Sequence, residues 1–124
     1  MEVLLEYADD EEIWRPCENF PKYQVSHLGN VKNEKGNLLK PYKDSQGYLN
    51  VGLYVDYETY HVDSRIKISV HRLVADAFLL KDPSRPLVDH IDRNRENNVL
   101  FNLRRATYHE NALNKKQSDH RNGR

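Results

Sequence analysis

Between Val70 and Leu80 the apolar residues Leu73, Val74, Ala77, Phe78 and Leu80 return to one face of a helix, which predicts a core helix over that stretch. Upstream the period is two. In Tyr48 to Tyr54, Leu49, Val51 and Leu53 alternate with Tyr48, Asn50, Gly52 and Tyr54, as in a strand with one buried face. From Glu12 to about Arg65, aromatic and β-branched residues recur between the turn signals Gly29-Asn30, Lys35-Gly36-Asn37 and Gln46-Gly47, predicting a small antiparallel sheet. Asp56 to Ser64 reads as a loop or hairpin tip.

The run from Lys81 to Pro86 holds two prolines and should separate the core helix from a new unit. There Leu87, Val88 and Ile91 suggest a short strand entering a polar loop, Asp92 to Asn98, with Leu100 and Leu103 anchoring a second strand. Thr107 can cap a final helix to about Gln117, with Glu110 placed for a capping box. Ser118 to Arg124 has nothing to bury and reads as a frayed basic tail. The expected class is α+β. Four segments follow: an acidic stretch 1–11, a sheet-and-helix module 12–80, a strand-loop-strand-helix finger 81–117 and the tail 118–124.

A chain of 124 residues suits one domain without disulfide staples. Its single cysteine, Cys17, allows no internal disulfide and argues against a cysteine-paired zinc ribbon, so no structural zinc is expected. No apolar run approaches the roughly 20 residues of a membrane span, and the start lacks a secretory pattern. The expectation is a soluble intracellular protein, in the cytoplasm or nucleus of its host, with no membrane partner. The formal net charge of zero conceals segregation. Residues 1–14 hold six acids and no base, leaving the remainder with 19 bases against 13 acids. Residues 93–124 hold eight bases against three acids, a stretch that would attract a phosphate backbone.

The finger is richer in polar residues than a structural hairpin requires. Asp89-His90 is followed by Asn102 twelve positions after the histidine and by Asn111 twenty-one after it. Hydrolysing a phosphodiester needs a base for water and a cation to stabilise charge on the phosphate and the leaving oxygen. Histidine titrates in the right range for the first task, and carboxylate and amide oxygens suit magnesium or manganese for the second. Adjacent strand residues point to opposite faces, so Asp89 and His90 could share a site only if the strand twists or ends between them.

The residues Val88, His90, Ile91, Asp92, Asn97-Asn98, Asn102-Leu103 and Glu110-Asn111 resemble the HNH endonucleases, also called His-Me finger or ββα-metal nucleases, of the homing kind found in phage and viral introns. Glu12 to Pro16, Tyr23 to Val31 and Val70 to Val74 resemble the N-terminal module that commonly accompanies that subtype. The resemblance implies a ββα-metal finger and a DNA endonuclease. It implies His90 as general base, Asp89 and Asn111 as ligands of one divalent ion (Mg2+ or Mn2+), and Asn102 as the residue that fixes the loop. Products would carry 5′-phosphate and 3′-hydroxyl ends.

Arg93, Arg95, Arg104, Lys115 and Lys116 are the candidate DNA contacts. Arg93 stands where the family often has glycine and would be strained if that position has a positive φ. Arg105 replaces a frequent aromatic residue. His71 is read as an orienting or packing residue, His109 as a surface residue, and Trp14, Tyr23, Tyr42, Tyr48 and Tyr54 chiefly as packing. The rival reading is a DNA-binding module of the same fold that no longer cuts. Because the chain ends soon after the finger, no additional helix-turn-helix reader is expected. The sequence leaves open whether the protein nicks alone, cuts as a homodimer or works with an accessory DNA-binding partner.

Overall fold

The alternating segments of the N-terminal half form two three-stranded antiparallel sheets: β1 (Trp14–Cys17), β2 (Phe20–Ser26) and β3 (Val31–Lys32), then β4 (Tyr42–Lys43), β5 (Leu49–Val55) and β6 (Ser64–Ser69). The computed structural model describes residues 11–123, with side chains through Lys115; residues 1–10, nearly all of the acidic stretch, lie outside the described residues. In the β5–β6 ladder Val51 pairs with Ile68 and Leu53 with Ile66, so the apolar set of each strand shares one face. Asp44 closes the β4–β5 turn, its Oδ1 accepting from the Gln46 and Tyr48 N–H groups while Gly47 takes a φ of +88°. The tip between β5 and β6 contains one helical turn, α1 (Tyr57–Tyr60), whose Thr59 N–H donates to the Asp56 side chain.

Helix α2 (Val70–Phe78) buries Val70, Leu73, Val74 and Ala75. Leu80 does not belong to its apolar stripe as expected, being 91% exposed. Leu79 already has an extended backbone, which turns the chain off the helix before Leu80 can keep the helical register. In the finger, β7 (Leu87–His90) pairs antiparallel with β8 (Leu103–Ala106). Leu100 is not part of that second strand but of a 3-10 turn, Leu100–Asn102, closed by Asn102 N–H donating to Val99 O at 2.9 Å.

Helix α3 (Tyr108–Gly123) starts with the expected capping box: Glu110 N–H donates to Thr107 Oγ1 at 3.0 Å, and Thr107 N–H to Glu110 Oε1 at 2.8 Å. Its backbone continues past Gln117 through the segment expected to fray. No glycine or proline interrupts it before Gly123.

One apolar core serves both halves. Cys17, Val25, Val31, Val51, Leu53, Leu73 and Val74 of the module pack in a single cluster with Leu100 and Leu103 of the finger. Burial pushes the Cys17 thiol up to about 12, so it behaves as a small apolar residue. Arg105, in place of an aromatic residue, reaches the C-terminal end of α2. Its guanidinium donates to Ala75 O at 3.1 Å and to Leu79 O and Leu80 O at 3.3 Å, and pairs with Asp76. It adds a second donor to Ala75 O, which already accepts from Leu79 N–H, and gives the carbonyls of Leu79 and Leu80, where the chain leaves the helix, a side-chain partner. Among the described residues no helix is long and apolar enough to cross a membrane.

Candidate active site

His90 is the last residue of β7 and 4% exposed. Its Nε2 lies 2.7 Å from Asn98 Oδ1, at the far end of the polar loop. With the amide oxygen turned to the ring, Nε2 carries the proton and Nδ1 is left to accept one. The ring packs against two aromatic neighbours from the module, His71 at 4.8 Å and Tyr48 at 6.0 Å between centroids. Burial outweighs the nearby carboxylates and holds His90 below the usual imidazole range, so it is neutral near pH 7.

Asn102 ties the two ends of the loop together. Its Oδ1 accepts from Asp92 N–H at 3.0 Å, and its Nδ2 donates to Asp92 Oδ1 at 2.9 Å and Asn97 O at 2.8 Å. Its own carbonyl accepts from Ile91 N–H at 2.8 Å. Asp92 is further engaged by the Asn97 amide and the Asn94 N–H. His90 therefore sits at the neck of a loop whose every turn is stitched.

Asp89, 5% exposed, turns the other way. Its carboxylate accepts from Asn114 Nδ2 at 3.1 and 3.0 Å and from Arg104 Nε at 2.9 Å. Asn114 also donates to His90 O at 3.0 Å, so one helical amide braces the Asp89-His90 pair from the α3 side. The two side chains diverge as strand alternation requires, Asp89 toward α3 and His90 toward the β4–β5 hairpin. Asn111 lies one turn before Asn114, close to the same face of α3, and is half-buried. It lines a polar pocket with Tyr48, His71 and Lys115.

The candidate cations divide. Arg95 donates to Gln46 O at 2.5 Å, and its guanidinium lies 4.7 Å from the centre of the Tyr48 ring, clamping the loop to the β4–β5 turn. Arg104 pairs with Asp89 yet remains 44% exposed. Arg93 has a φ of +67°, the strained backbone that its replacement of glycine implied, and its buried Nε has no partner among the described residues. Lys115 is exposed, and the Lys116 side chain lies outside the described ones.

Sequence reasoning missed Asn98, Tyr48, Asn114 and the proximity of His71 to His90. Asn98 belongs to an asparagine pair in the motif, a visible signal; the other contacts join residues far apart in the chain. His27 and Gly29, read only as part of a turn and of the N-terminal module, also reach the finger. Leu100 N–H donates to His27 O at 2.7 Å, and Ile13 N–H to His27 Nδ1 at 3.0 Å. Gly29, at a φ of +91°, approaches Asn98 so closely that a Cβ there would lie 3.0 Å from Asn98 O.

Residues 12–54 match the family model described as the NUMOD4 motif. Two uncharacterized HNH endonucleases of Acanthamoeba polyphaga mimivirus are similar to the chain. One is 33% identical over 86% of the chain and 31% of that protein, and the other 38% identical over 82% and 25%. The DNA endonuclease I-HmuI of Bacillus phage SP01 is 34% identical over 82% of the chain and 56% of its own length. A solved structure of that HNH homing endonuclease, concerned with DNA binding and cleavage, superposes with a TM-score of 0.72. It has 31% identity and covers 86% of this chain and 59% of that one. The chain thus spans about a quarter to three-fifths of the relatives it matches.

Proposed function

Because this chain is a homologue of the HNH endonucleases along most of its length, we propose that it hydrolyses DNA phosphodiester bonds with His90 as the base. The observation that carries this reading is the environment of His90. It is a buried, neutral imidazole with one nitrogen held by Asn98, at the neck of a loop locked by Asn102. Any buried histidine needs a partner for its N–H, but a base also needs its free nitrogen held in one direction, which the Asn98 bond and the locked loop provide.

In the reaction Nδ1 of His90 takes a proton from water, while the proton on Nε2 stays bonded to Asn98. Asn98 and the packed rings of His71 and Tyr48 keep the imidazole from rotating, and Asn102 keeps the loop from drifting. The donor set fits a hard divalent cation. The Asp89 carboxylate has lone pairs beyond those used by Asn114 and Arg104, and the Asn111 amide lies on the neighbouring turn of α3. No group of three His, Cys, Asp or Glu side chains among the described residues is placed to hold a metal. Asp89 and Asn111 would therefore supply two oxygens and leave other positions to DNA and water, as suits Mg2+ or Mn2+; because Asp89 and His90 diverge, the ion would approach the phosphate from the α3 side and the base from the hairpin side. Such an ion, when bound, stabilises charge developing on the phosphate and the departing oxygen. The cations of α3 and the finger, with Lys115 and Arg104 the most accessible, would hold the DNA backbone.

The test is conversion of supercoiled plasmid to nicked or linear DNA with Mg2+, Mn2+ or EDTA, comparing wild type with His90→Ala and Asn111→Ala. Metal-dependent conversion lost in both variants supports the reading. Equal activity in all three would mean contamination, and DNA binding without cleavage under either metal would favour a binding module of the same fold.

A further inference from the structure

The loop that follows His90 keeps one residue that its own fold would be better without. Arg93 stands three positions after His90, and its N–H donates to His90 O at 2.9 Å, closing a tight turn on the base. That turn holds Arg93 at a φ of +67°, a backbone that glycine adopts freely and that crowds the Cβ of an arginine. The side chain adds a second cost, because its Nε is buried with no partner among the described residues. Glycine at this position would remove both. Costs of this kind persist where a residue does something that folding does not require.

The other arginines of the finger are committed within the protein. Arg85 pairs with Asp82 and Glu110, Arg95 donates to Gln46 O, Arg104 pairs with Asp89 and Arg105 with Asp76. Arg93 makes no hydrogen bond or ion pair among the described residues. The acids of its own loop are already engaged, Asp92 by Asn94, Asn97 and Asn102, and Glu96 by Lys43. Arg93 is half-buried, and Nε is its one nitrogen that is both buried and unpaired among the described residues, so the terminal nitrogens are left to meet an acceptor from outside.

We propose that Arg93 grips a backbone phosphate of the strand being cut, from the same turn that carries the base. The proposal rests on the nuclease reading and adds to it the residue that positions the strand. His90 O accepts from Asn114 Nδ2 as well as from Arg93 N–H, so the turn is braced from α3, and Asn102 fixes the loop beyond it. A guanidinium fork on a fixed turn suits a phosphate, which it can meet with two parallel N–H bonds. The ends of such a turn lie within about 7 Å of each other, so the gripped phosphate is close to the one attacked.

Arg93→Gly separates this role from a structural one, because the two predict opposite changes. Relief of the backbone and loss of the dry Nε should leave Tm unchanged or up to about 4 °C higher. Affinity for a short duplex is read by fluorescence anisotropy in EDTA across a salt series. It should fall about five- to tenfold at low salt, with the salt slope lowered by about 0.9, the share of one phosphate. Arg93→Asn, which also tolerates the left-handed backbone, should act alike, and Arg93→Lys, which keeps the charge without the fork, should fall between. Lys22→Ala makes the same change of net charge at a lysine paired with Asp56, and should leave the slope unchanged. Binding by Arg93→Gly within twofold of wild type would overturn the proposal. So would equal weakening by Lys22→Ala, or a Tm lowered in both Arg93→Gly and Arg93→Asn. Plasmid nicking by the wild type is read in parallel: nicking with Arg93-independent binding would sink the grip alone, and Arg93-dependent binding without nicking would sink the nuclease reading and leave the phosphate contact. Wild type that binds no DNA at any salt would sink both.

Discussion

Replacing Asn102 by alanine should cost about 2–4 kcal/mol, because its side chain makes three hydrogen bonds in a position only 8% exposed. The figure follows from what is left behind. The Asp92 N–H and the Asn97 carbonyl each lose their side-chain partner, and Asp92 Oδ1 loses one of its donors. Each lost bond contributes roughly 0.5–1.5 kcal/mol, with an added cost for any group that stays dry. Against a typical total of about 5–15 kcal/mol this is a large fraction. Urea denaturation followed by circular dichroism reads it as a shift in midpoint without a change in slope. Asn102→Asp is the informative companion. It keeps an acceptor for Asp92 N–H but faces a second carboxylate and the Asn97 carbonyl with no donor, so it should be no better than alanine. Cleavage should fall in both even where the protein remains folded, since His90 sits at the neck of the loop. A loss below about 0.5 kcal/mol in Asn102→Ala would refute the view that this amide holds the loop.

Gly29→Ala combines a positive φ with a Cβ 3.0 Å from Asn98 O, so it should cost at least about 1 kcal/mol in thermal denaturation and lower cleavage by displacing the partner of His90. Arg105→Leu removes the donors at the end of α2 and should cost about 2–3 kcal/mol in urea, with Arg105→Lys recovering only part because a point charge cannot match three carbonyls at once. Acid should destabilise the protein early. Burial, the neighbouring His90 and Arg72 depress His71 from 6.5 to about 3, so the unfolded chain binds the proton first and stability falls as pH drops below about 6.5, levelling near 3. The slope rises from half its limit at pH 6.5 toward about 1.4 kcal/mol per pH unit, so His71 alone removes about 1.6 kcal/mol between pH 6.5 and 5. Urea midpoints at the two values check this, and a midpoint unchanged by acid would contradict the burial of His71.

What could be read from the sequence was local. The α2 stripe, the alternation in β5, the Thr107–Glu110 box and the spacing of His90 to Asn102 all depend on neighbours within a turn, a strand or one loop. The strain at Arg93 was also visible, as a non-glycine where a turn wants glycine. Leu80 was misplaced because periodicity does not record where Leu79 leaves the helix. Leu100 was misplaced because an apolar residue next to a strand looks the same in a 3-10 turn. The Arg105 contacts with α2 and the Tyr48, His71 and Gly29 contacts around His90 and Asn98 join residues distant in the chain, and no single-sequence period carries such pairings.

The shared core changes how this finger could travel in evolution. The Lys81 to Pro86 segment looks like a natural seam for recombination, since prolines interrupt the chain there and secondary structure stops on either side. A crossover at that seam would separate Leu100 from the His27 carbonyl and Asn98 from the surface of Gly29, and would strip His90 of the two rings packed on it. A recipient protein would acquire the proposed site residues without the wall that orients them. The geometry around His90 would therefore survive transfer only if module and finger moved together.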